Sequence, residues 1–343
     1  MSVRWGMLST SGVGRVAAAA LADVPDAEFA AIAGRDGGQA AAYAAELGIP
    51  RSFGNYDELL ADPEIDAVYV PLPIALHAEW TIKALQAGKH VLCEKPFAPT
   101  VAEVESCFDA AEAADRLCIE GLMWRHHPQT LLAQQLIADG AIGKLAYIRA
   151  ALTVDVPPGD IRRTGALGGG AALDLGCYCL SAVRLFGGEP LWVSAAQVLD
   201  PADGADGGDL RLAATLTMAD DVLAQFDVAL DYPRRDELEL IGTGGKITVP
   251  DPWLCRRGYL ELERDGVSER LAADPTGAAG LTEPGDDNLD AYRIELATAT
   301  ALIAGGGKPA FGREDAIAQA AAIEAVRLAA RTGNPVDLER IHP

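Results

Sequence analysis

The chain has 343 residues, 50% hydrophobic and 23% charged, an ordinary globular balance with length for about two cores of roughly 150 residues each. Its 28 Lys and Arg face 50 Asp and Glu, and a formal charge of −22 repels nucleic-acid phosphates and anionic membrane alike. Both partner classes are excluded, although a local basic pocket is not.

Cys93, Cys107, Cys118, Cys177, Cys179 and Cys255 lie mostly in apolar segments, with no C-x-x-C pair and no metal spacing. They read as buried thiols of a reducing compartment, and no metal site is expected. Val3-Arg4-Trp5-Gly6-Met7-Leu8 runs straight into a glycine turn, without the basic start and apolar core of a signal peptide. No uninterrupted apolar run is long enough to span a bilayer, so a cytoplasmic enzyme is the expectation.

Val3 to Leu8 predicts a strand, Ser9 to Gly12 a turn and Val13 to Leu21 an alanine-rich helix, the opening of a nucleotide-binding βαβ unit. The glycine fingerprint is degraded to Ser9-Thr10-Ser11-Gly12-Val13-Gly14, with only Gly14 in its expected place. The turn is either an ordinary tight turn or a pyrophosphate seat of backbone amides and serine hydroxyls at a helix terminus. A second strand, Glu28 to Ala33, ends in Gly34-Arg35-Asp36. An acid at this strand end binds the ribose hydroxyls of NAD, whereas Arg35 suits the 2′-phosphate of NADP. Arg35 leans toward NADP, with NAD kept open by Asp36.

Helices are expected over Gly37 to Leu47 and Tyr56 to Ala61, then a third strand over Ala67 to Val70. Pro71-Leu72-Pro73 stops that strand in a loop facing a dinucleotide, and His77 opens the next helix as its N-cap residue or as a catalytic group. His90 to Cys93 is a short buried strand delivering Glu94-Lys95-Pro96 at its carboxyl end, where an open parallel sheet places chemistry. Pro96 restrains Lys95 to extended geometry, so its ammonium is aimed to donate a proton or polarise a carbonyl. Taken alone, the stretch also reads as a surface Glu-Lys pair before a turn proline. A helix over Val101 to Ala114 and a strand over Leu117 to Leu122 complete a doubly wound parallel sheet in residues 1–122.

Residues 123–343 form the expected second domain. Met123-Trp124-Arg125-His126-His127-Pro128-Gln129 joins the two, and its adjacent histidines point in different directions, against a shared metal. Strands at Leu145 to Val154, Trp192 to Val198, Leu210 to Met218, Val222 to Leu230, Leu238 to Gly242 and Lys246 to Val249 favour a mostly antiparallel sheet. One helix interrupts them after Gly168-Gly169-Gly170. It carries Asp174 and Tyr178 four residues apart on one face, either a carboxylate and a phenol suited to a polyol and a proton relay or, for the tyrosine taken alone, a packing residue of an Ala-rich helix. In the preceding Pro157-to-Arg163 loop, Arg162 and Arg163 are either solvated or reach a substrate phosphate. Ala202 to Gly208 reads as a hairpin tip, Asp274 to Asp287 as a loop, and Leu289 to Ala304 and Arg313 to Thr332 as helices.

Together, Ala87-Gly88-Lys89-His90-Val91 leading to Glu94-Lys95-Pro96, the Pro71-to-His77 loop, the Arg125-to-Gln129 junction and Asp174-x-Gly176-x-Tyr178 resemble the glucose-fructose oxidoreductase / inositol dehydrogenase / rhizopine-catabolism (Gfo/Idh/MocA) family, over nearly the whole chain. The resemblance implies an amino-terminal Rossmann domain and a carboxy-terminal open-sheet domain that forms a homodimer or homotetramer, with helix 313–332 packing near the first domain. It implies an NAD(P)-dependent sugar oxidoreductase of the family's tyrosine branch. Lys95 is then the lysine beside the nicotinamide, Tyr178 the acid/base and Asp174 the acid that binds substrate hydroxyls. Ser9, Ser11, Gly12, Val13, Gly14, Arg35, Pro71, Leu72, His77, Glu94, Lys95, Trp124 and Arg125 are implied on the cofactor side, and Lys95, Arg125, Arg162, Asp174 and Tyr178 on the carbohydrate side. Hydride passes between nicotinamide and a carbinol carbon while an acid/base moves the hydroxyl proton. A Lys95 ammonium lowers the Tyr178 pKa toward working pH. Rival readings are a trans-dihydrodiol dehydrogenase, a nucleotide-linked ketosugar reductase, a dinucleotide-dependent glycoside hydrolase and a non-catalytic cofactor sensor.

Overall fold

The computed structural model describes residues 2–202 and 207–338, so most of the Ala202-to-Gly208 tip lies outside the described residues. The chain divides into two compact units, Met1–Met123 with Leu289–Ile317 and Trp124–Asn288 with Ala318–Pro343.

In the first unit β1 (Val3–Leu8), α1 (Gly12–Leu21), β2 (Ala27–Ala33), α2 (Gly37–Leu47), β3 (Ser52–Phe53), α3 (Tyr56–Leu60), β4 (Ala67–Val70), α4 (His77–Gln86), β5 (His90–Glu94), α5 (Val101–Ala114) and β6 (Cys118–Gly121) alternate. The strands form one parallel sheet in the order β3-β2-β1-β4-β5-β6. A parallel sheet is covered on both faces, and every residue of β4 and of β6 is accordingly buried. The order reverses beside β1, which opens a crevice at the carboxyl ends of β1 and β4. The helix starts agree with the sequence because side-chain acceptors fix them: Ser11 caps α1, Asp36 α2, Asn55 α3 and Thr100 α5. α8 (Asp290–Gly305), far along the chain, returns to this unit. Its Leu296 and Ala299 join Trp5, Met7, Ile32 and Tyr69 in one core, and the Trp5 indole donates to Thr300 at 3.2 Å.

The second unit contains α6 (Pro128–Ala138), β7 (Leu145–Asp155), α7 (Cys177–Gly187), β8 (Pro190–Leu199), β9 (Asp209–Met218), β10 (Leu223–Ala229), β11 (Asp231–Gly242), β12 (Gly245–Thr248), β13 (Tyr259–Arg264), β14 (Val267–Ala272) and β15 (Val336–Asp337). α9 (Arg313–Thr332) spans the point where the chain passes back into it. The strands make one sheet, β14-β13-β12-β11-β7-β10-β9-β8-β15, antiparallel except where β10 runs parallel to β7. Leu210, Leu212, Ala214, Leu216 and Met218 alternate inward along β9, while α7 packs on β7 and β10. Residues 165–187 are on average apolar enough to cross a membrane, although Asp174 and Arg184 interrupt the run. Its apolar window is 78% buried within the protein, which accounts for the composition. All six cysteines are free thiols and buried.

Candidate functional site

The turn after β1 is built from its serines. Ser9 takes φ 137°, an unusual conformation for a side-chain-bearing residue, and its hydroxyl donates to the Pro71 carbonyl at 3.0 Å while accepting the Ser11 amide at 3.1 Å. This bond ties the β1 turn to the loop after β4, across the crevice. Ser11 accepts the Gly14 amide at 3.2 Å. Both hydroxyls are thus engaged in shaping the turn, Ser9 as donor and acceptor and Ser11 as acceptor. The α1 terminus still offers the amides of Gly12 and Val13, which lack intrahelical acceptors. A Cβ on Gly12 would meet nothing within 4 Å, so the space beside the first residue of the helix is open. One on Gly14 would stand 2.7 Å from the Met7 sulfur and 2.8 Å from the Tyr43 hydroxyl, so the third glycine allows helix and strand to pack closely.

At the end of β2, Asp36 accepts the Gln39 amide at 2.9 Å and serves as a helix cap. Arg35 is exposed and has no hydrogen-bond or ion-pair partner among the described residues. The donor set available there is a guanidinium, which fits a 2′-phosphate. A bound dinucleotide could be held here by these backbone amides and by Arg35.

His77 is the first residue of α4 and caps nothing with its side chain. Its buried ring lies between two carbonyl oxygens, Nε2 at 2.8 Å from Leu72 and Nδ1 at 2.9 Å from Pro96. Burial, then Lys95, pushes its pKa down, so the neutral ring donates one of these bonds. The imidazole is a strut between loops, in place of the helix cap expected.

The Lys95–Pro96 peptide bond is cis. Around it, the Tyr69 hydroxyl donates to Glu94 Oε1 at 2.6 Å, the Lys95 amide to Glu94 Oε2 at 3.2 Å, and the Phe97 amide to Glu120 Oε1 at 2.9 Å. Glu94, 7% exposed, therefore braces the lysine-bearing turn from below. Glu295 of α8, 2% exposed, adds a third carboxyl. Burial, then Glu94 and Glu120, holds its pKa well above the usual carboxylate range. Burial and the neighbouring Glu94 likewise raise the Tyr69 phenol well above its ordinary value. The sequence reading missed Tyr69, Glu120 and Glu295. A tyrosine in the aliphatic run Ala67-Val68-Tyr69-Val70 was the one visible signal.

In the second unit the three glycines lead into a widened helical turn, Ala172–Gly176, followed directly by α7. Wide turns of this kind concentrate at functional sites. Asp174 lies within it and Tyr178 in the first turn of α7, 9% and 7% exposed. The Tyr178 ring lies 5.9 Å from that of Trp253, which meets Trp124 edge-on at 5.7 Å and donates to the Ala151 carbonyl at 3.1 Å. Trp253, on the loop after β12, is an aromatic wall that carried no motif. Arg162 makes a two-pronged contact with Asp160 at 3.1 and 3.0 Å, and Asp174 adds to the pull that raises its pKa. Arg163 pairs instead with Asp200. Arg125 is buried and donates to Ser181 of α7 at 2.7 Å. His127 caps α6, and burial, then Arg125, pushes the His126 pKa down to about 4.

The first unit thus has the form of a dinucleotide-binding domain, a parallel sheet whose order reverses beside β1 with free amides at the α1 terminus there. Residues 3–122 match the family model described as an oxidoreductase family with NAD-binding Rossmann fold, and residues 130–248 match the GFO/IDH/MocA C-terminal domain. The chain belongs to the GFO/IDH/MocA family. It is 34% identical to D-xylose 1-dehydrogenase (NADP(+)) 2 of Haloferax volcanii, over 98% of this chain and 99% of that one. It is also 34% identical to dTDP-3,4-didehydro-2,6-dideoxy-alpha-D-glucose 3-reductase of Saccharopolyspora spinosa, covering 92% and 93%. Among solved structures it is similar to a 3-ketoreductase from Actinomadura kijaniata in complex with NADP and TDP-benzene, with 30% identity, a TM-score of 0.85 and coverage of 96% and 98%. This chain is an NAD(P)-dependent oxidoreductase of the sugar dehydrogenase and reductase class.

Proposed function

We propose that the chain oxidises and reduces a sugar or sugar derivative at a carbinol or carbonyl carbon, with NADP as the preferred cofactor. The observation that carries this reading is the seat of Lys95, at the end of β5 and braced by Glu94, Tyr69, Glu120 and His77. Gly12, Val13 and Arg35 bind the dinucleotide, which supplies the hydride acceptor or donor when bound. Tyr178 exchanges the hydroxyl proton, Lys95 lowers the cost of its phenolate and acts as second proton donor, and Asp174 with Arg162 receives substrate hydroxyls. Trp253 gives the tyrosine an apolar flank. A reducing compartment such as the cytoplasm suits six buried thiols.

The experiment is nicotinamide absorbance with NADP⁺ and NAD⁺ offered separately against aldoses including D-xylose, inositols and dihydrodiols. NADP⁺ reduction with an aldose is expected, and faster NAD⁺ reduction would overturn the Arg35 assignment. A second reading, reduction of a nucleotide-linked ketosugar, draws on the similarity to the two ketosugar-related enzymes. NADPH oxidation with a TDP-linked ketosugar and silence with free aldoses would select it. We also propose a homodimer or homotetramer through the face of the nine-stranded sheet opposite α7. This is supported by Val198 and Leu223 on strands of that sheet, 50% and 43% exposed. Sedimentation as a monomer would refute it.

A further inference from the structure

We propose that Asp209 is a positioning residue for the Asp174–Tyr178 pair: its carboxyl accepts the Ala172 amide and so fixes the widened turn that carries them. The proposal rests on the reading of Tyr178 as the proton carrier. Asp209 is the first residue of β9, and its Oδ2 accepts the amide of Ala172 at 2.8 Å. Ala172, 4% exposed, begins the widened turn, so water is no substitute for that acceptor.

The first amides of a helix lack intrahelical acceptors. In α1, α2, α3, α5 and α6 the preceding residue provides one, from Ser11, Asp36, Asn55, Thr100 and His127 respectively. Ala171, which precedes the widened turn, has no side-chain acceptor. A neighbouring strand provides it instead.

The glycines make this cap possible. Gly170 has φ +127°, and a Cβ there would stand 2.5 Å from Asp209 Oδ1. A Cβ on Gly208 would stand 2.8 Å from the Gly169 carbonyl oxygen. Gly169-Gly170 and Gly208-Asp209 therefore cross in backbone contact, and the triple glycine is explained by the seat of a carboxyl. The Asp174 amide donates back to the Gly170 carbonyl at 2.9 Å, so the segment that Asp209 holds is also the segment that orients Asp174. From α9, Gln319 donates to the Cys177 carbonyl at 2.9 Å and accepts from Arg184 at 2.8 Å. The turn is pinned on one side by Asp209 and on the other by Gln319, with Tyr178 immediately after Cys177.

The test compares Asp209→Ala, Asp209→Asn and Gly170→Ala in the full chain, by hydrogen-exchange mass spectrometry and by kinetics with NADP⁺ and D-xylose. Asp209→Ala is expected to speed exchange over residues 171–178 about tenfold while peptides from β1 to β4 stay at parent rates. It is expected to lower kcat about tenfold or more with the KM for NADP⁺ within about twofold of parent. Asp209→Asn, which keeps an acceptor oxygen, is expected to restore both, and Gly170→Ala, which displaces the carboxyl from the other side, to reproduce the loss. Parent-like exchange over 171–178 in Asp209→Ala, raised exchange with parent kcat, or an asparagine variant as impaired as the alanine one would each overturn the proposal. If the parent chain oxidises no carbinol offered, the Tyr178 reading fails, and the exchange measurements alone decide whether Asp209 holds the turn.

Discussion

Four successive residues, Glu94 to Phe97, are held by Tyr69, Glu94 itself, His77 and Glu120. An ammonium on such a turn gives up little freedom in the transition state, the condition under which a charged group contributes most to a rate. Lys95→Met is therefore expected to lower kcat by about 10²-fold or more, the scale of a lost acid–base or electrostatic group. The cofactor Kd from nicotinamide fluorescence is expected to change much less, and an unchanged kcat would remove Lys95 from the mechanism. The carboxyls beneath the turn carry a different signature. Glu295 ionises near 4.3 when unfolded, and burial beside Glu94 and Glu120 raises its folded value. The folded chain then holds a proton that the unfolded chain has lost, so this group's contribution falls as pH rises from the unfolded value to the folded one. Glu295→Gln removes that dependence. Its stability relative to the parent is expected to improve as pH rises above the unfolded value of about 4.3, by up to about 1.4 kcal/mol per pH unit until the folded group ionises. Urea titrations at three pH values check this, and a pH-independent gap would mean that Glu295 is ionised in the folded chain.

Among the elements, α1 separates two effects that the sequence runs together. Ser11 caps the helix, and the same terminus leaves free the amides proposed to hold a pyrophosphate. Ser11→Ala is expected to cost about 1 kcal/mol in urea denaturation through the lost cap. Ser11→Asp is expected to keep that stability but weaken dinucleotide binding about tenfold or more, because a carboxylate then stands beside the phosphate seat. Equal affinity in Ser11→Asp and parent would place the pyrophosphate elsewhere. Elements with their own side-chain caps or continuous apolar runs, such as α2, β4 and α5, were legible to the residue in the sequence. β13 and β14 were not, because the edge strand β14 and its neighbour carry charge: Glu261, Glu263, Glu269 and Arg270 mask the alternation. The opening of β11 was hidden likewise by Arg234-Arg235-Asp236-Glu237, whose charges pair along the sheet. Of the candidate residues, Lys95, Asp174 and Tyr178 stood out in the sequence because glycine or proline flanks them. Tyr69, Asp209, Trp253 and Glu295 did not, since each acts on a partner distant in sequence and only the folded chain supplies that proximity.

For the molecule as a whole, the excess of 50 acids over 28 bases sets a field that no single pair expresses. Many arginines are already matched, as in Arg15–Glu46, Arg211–Asp231, Arg256–Asp251 and Arg293–Asp290, so the unmatched carboxylates repel one another across the surface. Raising the salt from about 0.01 M to about 0.15 M shortens the screening length from about 30 Å to about 8 Å. Relief of long-range repulsion is expected to outweigh the loss of exposed ion pairs worth about 0–1 kcal/mol each, so Tm should rise by a few degrees. The exposed Arg35 makes the opposite prediction for the cofactor, since its attraction for a 2′-phosphate is screened by the same salt. The preference for NADP⁺ over NAD⁺ should shrink as Tm climbs. Calorimetry and fluorescence titration on one salt series read both trends. If the preference holds constant, NADP is recognised by something other than an exposed guanidinium, and if Tm falls, the ion pairs outweigh the net charge.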